Sequence, residues 1–313
     1  MSLAIPLMYF DGQPFTRADA LAAGWTDNRL STLVGKGLVR RLLQGVYVDA
    51  LAPDTIELRA AALCRVAPPD AVICRRSAAW LYGVDTLALR EHTEIPTVDC
   101  VRPSKRRATR LRPSGTHSQT MRPGDVITVL GLRVTSPVAT AVHLARHLDR
   151  PFALSGVDAM LHAGLVRLDE LHAAVKSFPH HPGIVQAREI AGWAEPLAES
   201  PGESWLRLRV LDAGFPRPVP QVVVQGPSRE YRLDLGFPEP GPDGLRIGLE
   251  YDSDRWHSGP AAELRDATRR AELRAVGWMI LPVRRGDVWG RRPDLERAIG
   301  ELLGIQPVLP RLW

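Results

Sequence analysis

The 313-residue chain has little cysteine and no apolar run of membrane length. Its three cysteines, Cys64, Cys74 and Cys100, are widely spaced and form no C-x-x-C pair, which argues against a disulfide framework and a zinc site. The longest apolar stretches have the length of a strand, far short of the roughly 20 residues that span a bilayer. Residues 1–10 lack the basic lead and the cleavage site of a signal peptide. We therefore expect a cytoplasmic protein with no membrane partner.

Lysine is also scarce, and the basic charge is carried almost entirely by arginine. Basic residues number 40 against 35 acidic ones, which gives a net charge of +5, and only Lys36, Lys105 and Lys176 are lysines. This balance fits a nucleic-acid partner, but genome base composition can produce the same arginine bias. The positions of the arginines are therefore more informative than their number.

Residues 16–48 predict two short helices followed by a basic hairpin. Thr16 and Thr26 can cap the two helices, and the alternating run over 38–48 turns near Gly45. Two helices and a hairpin in this order form a winged helix. In that arrangement the second helix enters the major groove of DNA and the hairpin contacts phosphates.

This stretch resembles the N-terminal domain of the AbiEi family of antitoxin regulators, whose pattern is a "tRaxalaaG" helix, a second helix and an "r-x-x-x-GVY" wing. The resemblance implies phosphate contacts from Arg40 and Arg41. It also implies groove-facing side chains on the second helix, namely Asn28, Arg29, Ser31 and Thr32. The alternative is a three-helix packing module that binds protein or nothing, because small winged helices are often reused as scaffolds.

The middle of the chain, residues 51–195, predicts a mixed α+β region with a basic segment. Two helices over 60–81 are separated by a pair of prolines, and helical spacing returns after residue 137. The segment 102–122 is rich in arginine and contains no acidic residue. It either tracks a phosphate backbone, with Arg106 and Arg107 among its contacts, or is a solvated hairpin edge that its charges keep from aggregating.

Residues 196–313 predict an α/β domain with a mixed sheet, in the order helix, three strands, helix, strand, helix. Strand alternation places Tyr231, Leu233 and Leu235 on one face and Asp234 on the other. If the second and third strands pair as a hairpin, Asp234 lies beside Glu250 on a polar face. Neighbouring carboxylates repel unless a cation offsets them, and Mg²⁺ or Mn²⁺ suits carboxylate ligands best.

A series of motifs in this domain resembles the very-short-patch-repair-like (Vsr-like) nuclease family of the PD-(D/E)XK superfamily. The motifs are RLDL at 232–235, LEYD at 249–252, Trp256-His257, Asp266, Arg270 and Gly277-Trp278. The resemblance implies a restriction-endonuclease-like fold over roughly residues 199–303, a third of the chain, joined to the wing by a linker region. It also implies catalytic roles for Glu203, Asp234, Glu250 and His257, and a metal bound by Asp234, Glu250 and Asp252.

One departure from the superfamily pattern concerns Asp252, which stands where a lysine is expected. Water activation would then fall to the metal or to His257. The site residues also have structural explanations. Glu203 completes a capping box with Ser200, the two strand carboxylates can pair with nearby arginines, and His257 can be a packing residue.

Three functions follow from these patterns. The leading hypothesis is a Mg²⁺- or Mn²⁺-dependent DNA endonuclease or nickase, acting in repair or phage defence, with the winged helix adding affinity or site choice. The alternative is an antitoxin-type transcriptional regulator whose nuclease fold has lost catalysis and serves for binding or homodimer formation. The third is the enzyme partner of a defence system, acting only on modified or foreign DNA. Besides DNA, these functions allow a toxin or defence partner.

Overall fold

Two short helices and a hairpin form the start of the chain in the computed structural model, which describes residues 9–86, 97–102, 117–118, 122, 124–178, 181–252, 260–309 and 313. In chain order the elements are β1 (Phe15–Thr16), α1 (Arg17–Ala22), α2 (Asp27–Gly35), β2 (Val39–Leu43) and β3 (Val46–Asp49). Thr16 forms a capping box with Asp19, and the Thr26 hydroxyl accepts the amide of Arg29. Both threonine side chains thereby accept hydrogen bonds from first-turn amides that have no partner within the helix. The strands pair antiparallel in the order β1-β3-β2. This is the element order of a winged helix, as the sequence predicts.

A five-stranded sheet follows, in the order β6-β5-β4-β8-β7. Its strands are β4 (Val72–Ile73), β5 (Cys100–Arg102), β6 (His117–Ser118), β7 (Val126–Val129) and β8 (Leu132–Thr135). The helices in this part of the chain are α3 (Ile56–Val66), α4 (Arg75–Leu81) and α5 (Pro137–His147). Helices α3 and α4 confirm the two predicted over 60–81. The sequence did not predict β4 between them, because two buried residues are too short a pattern to identify a strand.

The chain divides into two units, residues 1–144 and 145–313. In the first unit, the hairpin shares a buried core with α3 and the five-stranded sheet, in which Leu43, Val46, Leu63 and Ile73 are almost completely buried. The domain boundaries that the sequence predicts at residues 50 and 195 stay predictions.

The second unit begins with helices α6 (Arg150–His162), α7 (Leu168–Lys176) and α8 (Ile184–Trp193). It continues with α9 (Pro201–Asp212), β9 (Val219–Gln225), β10 (Glu230–Phe237), β11 (Arg246–Asp252), α10 (Pro260–Ala275), β12 (Trp278–Arg284), α11 (Arg285–Trp289) and α12 (Asp294–Leu303). The sheet order is β12-β11-β10-β9, with β11 and β12 parallel and the other neighbours antiparallel. The mixed sheet and its element order therefore agree with the prediction, with α11 as an addition. Across the described residues, no helix is long and apolar enough to cross a membrane.

Helix α9 is the buried centre of this unit, although it contains two arginines. Arg207 donates to Asp158 of α6 at 2.6 Å, and these side chains are 0% and 1% exposed. The same carboxylate accepts Ser204 Oγ at 2.6 Å and the amide of Glu195 at 2.8 Å. A buried charge is tolerated only when it is paired and hydrogen-bonded, so this network holds α9 against α6.

We predict that Asp158→Ala lowers the free energy of unfolding by about 3–5 kcal/mol, because it leaves the buried Arg207 without its counter-charge. Chemical denaturation measures this loss. The control is Arg167→Ala, which breaks a pair with Asp169 whose side chains are 74% and 67% exposed. Its effect should stay within about 0.5 kcal/mol. Equally small losses in the two variants would contradict the prediction.

Candidate nucleic-acid interface and carboxylate site

The predicted groove-facing residues share the exposed face of α2: Asn28, Arg29, Ser31 and Thr32. Leu30, between them in sequence, is buried and fixes the orientation of the helix. Arg29 lies over the ring of Trp25, with its guanidinium carbon 4.8 Å from the ring centroid. The structure therefore brings the four residues together on one accessible polar surface.

The acidic residue at the start of α2 is neutralised by its surroundings. Asp27 binds Arg17 through two hydrogen bonds of 2.6 and 2.5 Å, and both side chains are exposed. The Arg17 guanidinium holds the pKa of Asp27 below its ordinary value. Asp27 therefore adds no net negative charge where α2 would approach DNA.

The two predicted wing arginines differ in their contacts. Arg41 is exposed, 5.7 Å from the ring centroid of Tyr47. Arg40 is half-buried and donates to the carbonyl of Ala52 at 3.0 Å. Arg41 is thus the more accessible cation, whereas Arg40 also has a structural contact.

The basic segment 102–122 is described only in part. Arg106 and Arg107 lie outside the described residues, and their predicted role stays a prediction. Strands β5 and β6 are parallel neighbours, and the two interpretations of the basic segment stay predictions.

In the second unit, β10 and β11 place Asp234 and Glu250 next to each other. Leu235 pairs with Leu249 in antiparallel register, so Asp234 and Glu250 occupy the adjacent pair of facing positions. Asp234 Oδ2 accepts the amide of Tyr251 at 2.8 Å. The predicted proximity of the two acids is therefore present in the structure.

Strand β10 does not alternate regularly at this point. Tyr231 and Leu233 pack in a cluster with α10, whereas Leu235 packs in a separate cluster with α9. The prediction that these three residues share one face is therefore wrong. The reversal occurs at Asp234, and an irregularity of this kind changes the direction in which a strand side chain points.

Gln221 on β9 occupies the position opposite Asp234, between two regularly paired positions. Its φ of +52° lies in the left-handed region, which side-chain-bearing residues seldom adopt. Its amide nitrogen donates to Glu203 Oε2 at 2.8 Å. Gln221 could not be identified from the sequence, because no local pattern marks a residue whose role depends on its partner strand.

Ser200 caps α9, because its hydroxyl accepts the amide of Glu203 at 3.2 Å. The reciprocal bond of a capping box goes to the amide of Glu199 and not to that of Ser200, so the box that the sequence allows is only half formed. The Glu203 carboxylate accepts Ser200 Oγ at 2.7 Å and the amide of Glu199 at 3.0 Å, besides Gln221. The first turn of α9 also approaches β11 so closely that a Cβ on Gly202 would lie 2.1 Å from the ring of Tyr251. Glycine at this position lets the helix carry Glu203 to the sheet.

Glu250 forms an ion pair with Arg269 of α10 through one oxygen. Its other oxygen, Oε1, is buried and has no hydrogen-bond partner among the residues that the structure describes. Asp252 does not join the site. Its half-exposed carboxylate lies 4.0 Å from Arg284. His257 lies outside the described residues.

Burial raises the pKa of Asp234 to about 6, with a smaller upward contribution from the charges of Glu203 and Glu250. The Tyr251 amide and the Arg269 guanidinium lower the same pKa and only partly offset this rise. Within the described chain, no group of three or more histidine, cysteine, aspartate and glutamate side chains is placed to hold a metal ion. The carboxylates are thus close enough to interact, but by themselves they do not form a full ligand set.

We predict that Asp234→Asn stabilises the protein at pH 8 by roughly 1–3 kcal/mol, because it removes a buried ionised carboxylate. A raised carboxyl pKa contributes stability below the unfolded value and loses it as the pH rises through about 6. The advantage of the variant should therefore disappear towards pH 4, as measured by urea denaturation across this range.

Asp169→Asn is the control of opposite sign. Arg167 lowers the pKa of Asp169, so wild type should be the more stable protein above the unfolded pKa and lose that advantage as the pH falls. The prediction for Asp234 is contradicted if its variant shows the same pH trend as this control.

Two family models match the chain. The model of the transcriptional regulator, AbiEi antitoxin, matches residues 7–48, and that of the AbiEi antitoxin C-terminal domain matches residues 71–191. The first confirms the resemblance seen over 16–48. The second lies within the predicted middle region, residues 51–195, whose boundaries stay predictions. Two segments of the chain are thus similar to AbiEi antitoxin domains.

Two curated relatives extend this result. They are uncharacterized proteins of Mycobacterium tuberculosis, from strains CDC 1551 / Oshkosh and H37Rv. Each is 37% identical over 266 residues, which cover 84% of this chain and 92% of the relative. The chain belongs to the same family as these mycobacterial proteins. The part of the chain that lies outside the match to these relatives is shorter than the segment 192–313. The similarity to the relatives therefore extends beyond the AbiEi matches, which end at residue 191.

Proposed function

We propose that the protein is a DNA-binding transcriptional regulator of the AbiEi antitoxin type. The observation that carries the proposal is the exposed polar face of α2, within the segment that matches the AbiEi regulator model. A helix with an accessible polar face beside a basic hairpin suits the major groove.

The side chains on this surface suit two kinds of DNA contact. The amide of Asn28 suits the edge of adenine, and the guanidinium of Arg29 suits that of guanine. The ring of Trp25 packs against this guanidinium. Arg41 on the hairpin suits a phosphate, which provides affinity and no sequence information. A regulator of this type implies a toxin partner. It also implies a homodimer if its operator has two half-sites.

We predict that Arg41→Ala weakens binding to the DNA upstream of the protein's own gene and reduces the salt slope of log K by about one. Arg40→Ala should have the smaller effect, because part of its hydrogen-bonding capacity is used by Ala52. Fluorescence anisotropy at several salt concentrations measures both effects.

The control for DNA binding is Arg133→Ala, an exposed arginine on β8 outside the helix and hairpin. Its affinity should match that of wild type. Arg29→Ala should cost about 1–3 kcal/mol on the specific site and little on unrelated DNA. Unchanged specific binding in both Arg29→Ala and Arg41→Ala would overturn the proposed interface.

A second candidate function is metal-dependent DNA cleavage, favoured by the juxtaposition of Asp234 and Glu250. The mixed four-stranded sheet of the second unit supports it, because the resemblance to PD-(D/E)XK nucleases implies an α/β fold with a mixed sheet. In this interpretation the winged helix delivers the C-terminal domain to its substrate.

The residues present partly fit a divalent cation. Asp234 and Glu250 would hold it, and the buried Glu250 Oε1 provides an oxygen without a hydrogen-bond donor among the described residues. Mg²⁺ or Mn²⁺ at this position would supply Lewis-acid chemistry to a phosphodiester. Asp252 stands where the superfamily pattern has a lysine, so the positive charge of that lysine is missing. Arg269, which forms an ion pair with Glu250, supplies a positive charge at the site.

We predict that wild-type protein nicks supercoiled plasmid in Mn²⁺, and that Asp234→Ala and Glu250→Ala each reduce the rate by about 100-fold or more, because each removes a metal ligand. Gel electrophoresis of the plasmid measures the rate. The control is Asp266→Ala, an exposed acid on α10. Equal nicking by all four proteins would remove the enzyme hypothesis and leave the regulator.

A further inference from the structure

Gln221 combines a strained backbone with a position inside the carboxylate site. It lies opposite Asp234 on the neighbouring strand, with a φ of +52°. A left-handed conformation costs stability in a residue with a side chain and persists where the surrounding structure imposes it, most often at functional sites. Glycine would adopt this backbone more easily, yet the chain has glutamine here.

The orientation of the Gln221 amide follows from its partner. The amide nitrogen donates to Glu203 Oε2 at 2.8 Å, and the flipped amide would place one oxygen against another. The amide oxygen, Oε1, is consequently on the other side of the group. It is buried and, like Glu250 Oε1, has no hydrogen-bond partner among the described residues.

A second glutamine on the same strand shows what an ordinary contact looks like. Gln225 is exposed and donates to Glu230 on β10 at 2.6 Å. Its backbone has no positive φ. The strain and the buried amide oxygen therefore belong to position 221 and are not general features of glutamine on β9.

We propose that Gln221 is a ligand and positioning residue of the cation site, holding Glu203 with its amide nitrogen and offering its amide oxygen to the cation. The proposal rests on the second candidate function. Amide oxygens are common ligands of hard divalent cations, and one here would extend the set that Asp234 and Glu250 provide. It gives a physical reason for glutamine at a strained position.

The test is a thermal-shift titration with Mn²⁺ alone, on the full chain without DNA. Wild type should show a melting temperature that rises with Mn²⁺, because an ion that binds the folded state stabilises it. Gln221→Met keeps the length of the side chain and removes the amide. It should weaken the apparent Mn²⁺ affinity by about 10- to 100-fold, whereas Gln225→Met should match wild type.

A purely structural role would lower the melting temperature without metal and leave the Mn²⁺ dependence unchanged. If Gln221→Met does not fold, Gln221→Gly replaces it, because glycine adopts the left-handed backbone without strain. Equal Mn²⁺ affinity in wild type and the folded Gln221 variant overturns the role of Gln221 and leaves the cation site standing. Absence of any Mn²⁺ shift in wild type overturns the cation site itself, and Gln221 as its ligand with it.

Discussion

The second unit depends on the burial of α9, which the ion pair between Arg207 and Asp158 makes tolerable. Without a counter-charge, a buried guanidinium would favour separation of α9 from α6. The same helix carries the Ser200 cap and Glu203 in its first turn, and Gly202 lets that turn reach the ring of Tyr251. The position of the carboxylate site is therefore a consequence of how the buried helix is held.

The carboxylate site differs from the rest of the sheet because several of its features lower the stability of the folded protein. Asp234 has a raised pKa, and Gln221 has a left-handed backbone. The side chains of β10 also change from one face of the sheet to the other between Leu233 and Leu235. Each of these features is unfavourable by itself, and they occur at neighbouring positions on two strands. Local costs that concentrate in this way are typical of functional sites, where binding and not stability determines the residues.

The two candidate functions use different parts of the chain and are compatible in one molecule. The AbiEi matches end at residue 191, before α9 and the four-stranded sheet. The α2 surface is accessible and polar, as DNA recognition requires, whereas the carboxylate site is acidic and needs a cation before it can approach a phosphate. A regulator with an inactive C-terminal domain and a nuclease directed by a winged helix therefore differ in the chemistry of one small site.

Local sequence was sufficient for the element order of residues 16–48 and, apart from α11, of residues 196–313, because caps and hydrophobic spacing act within a few residues. It was not sufficient for β4, which is too short to leave a pattern. Local sequence also identified the helix-hairpin start and the approach of Asp234 to Glu250. Only tertiary contacts decided that Asp252 lies beside Arg284, that Arg40 is tied to a carbonyl and that Gln221 enters the site. The reason is that strand register, strand irregularity and ion pairing depend on residues distant in sequence, which no local pattern encodes. Arg40 and Ala52 are 12 residues apart, and Asp252 and Arg284 are 32 residues apart.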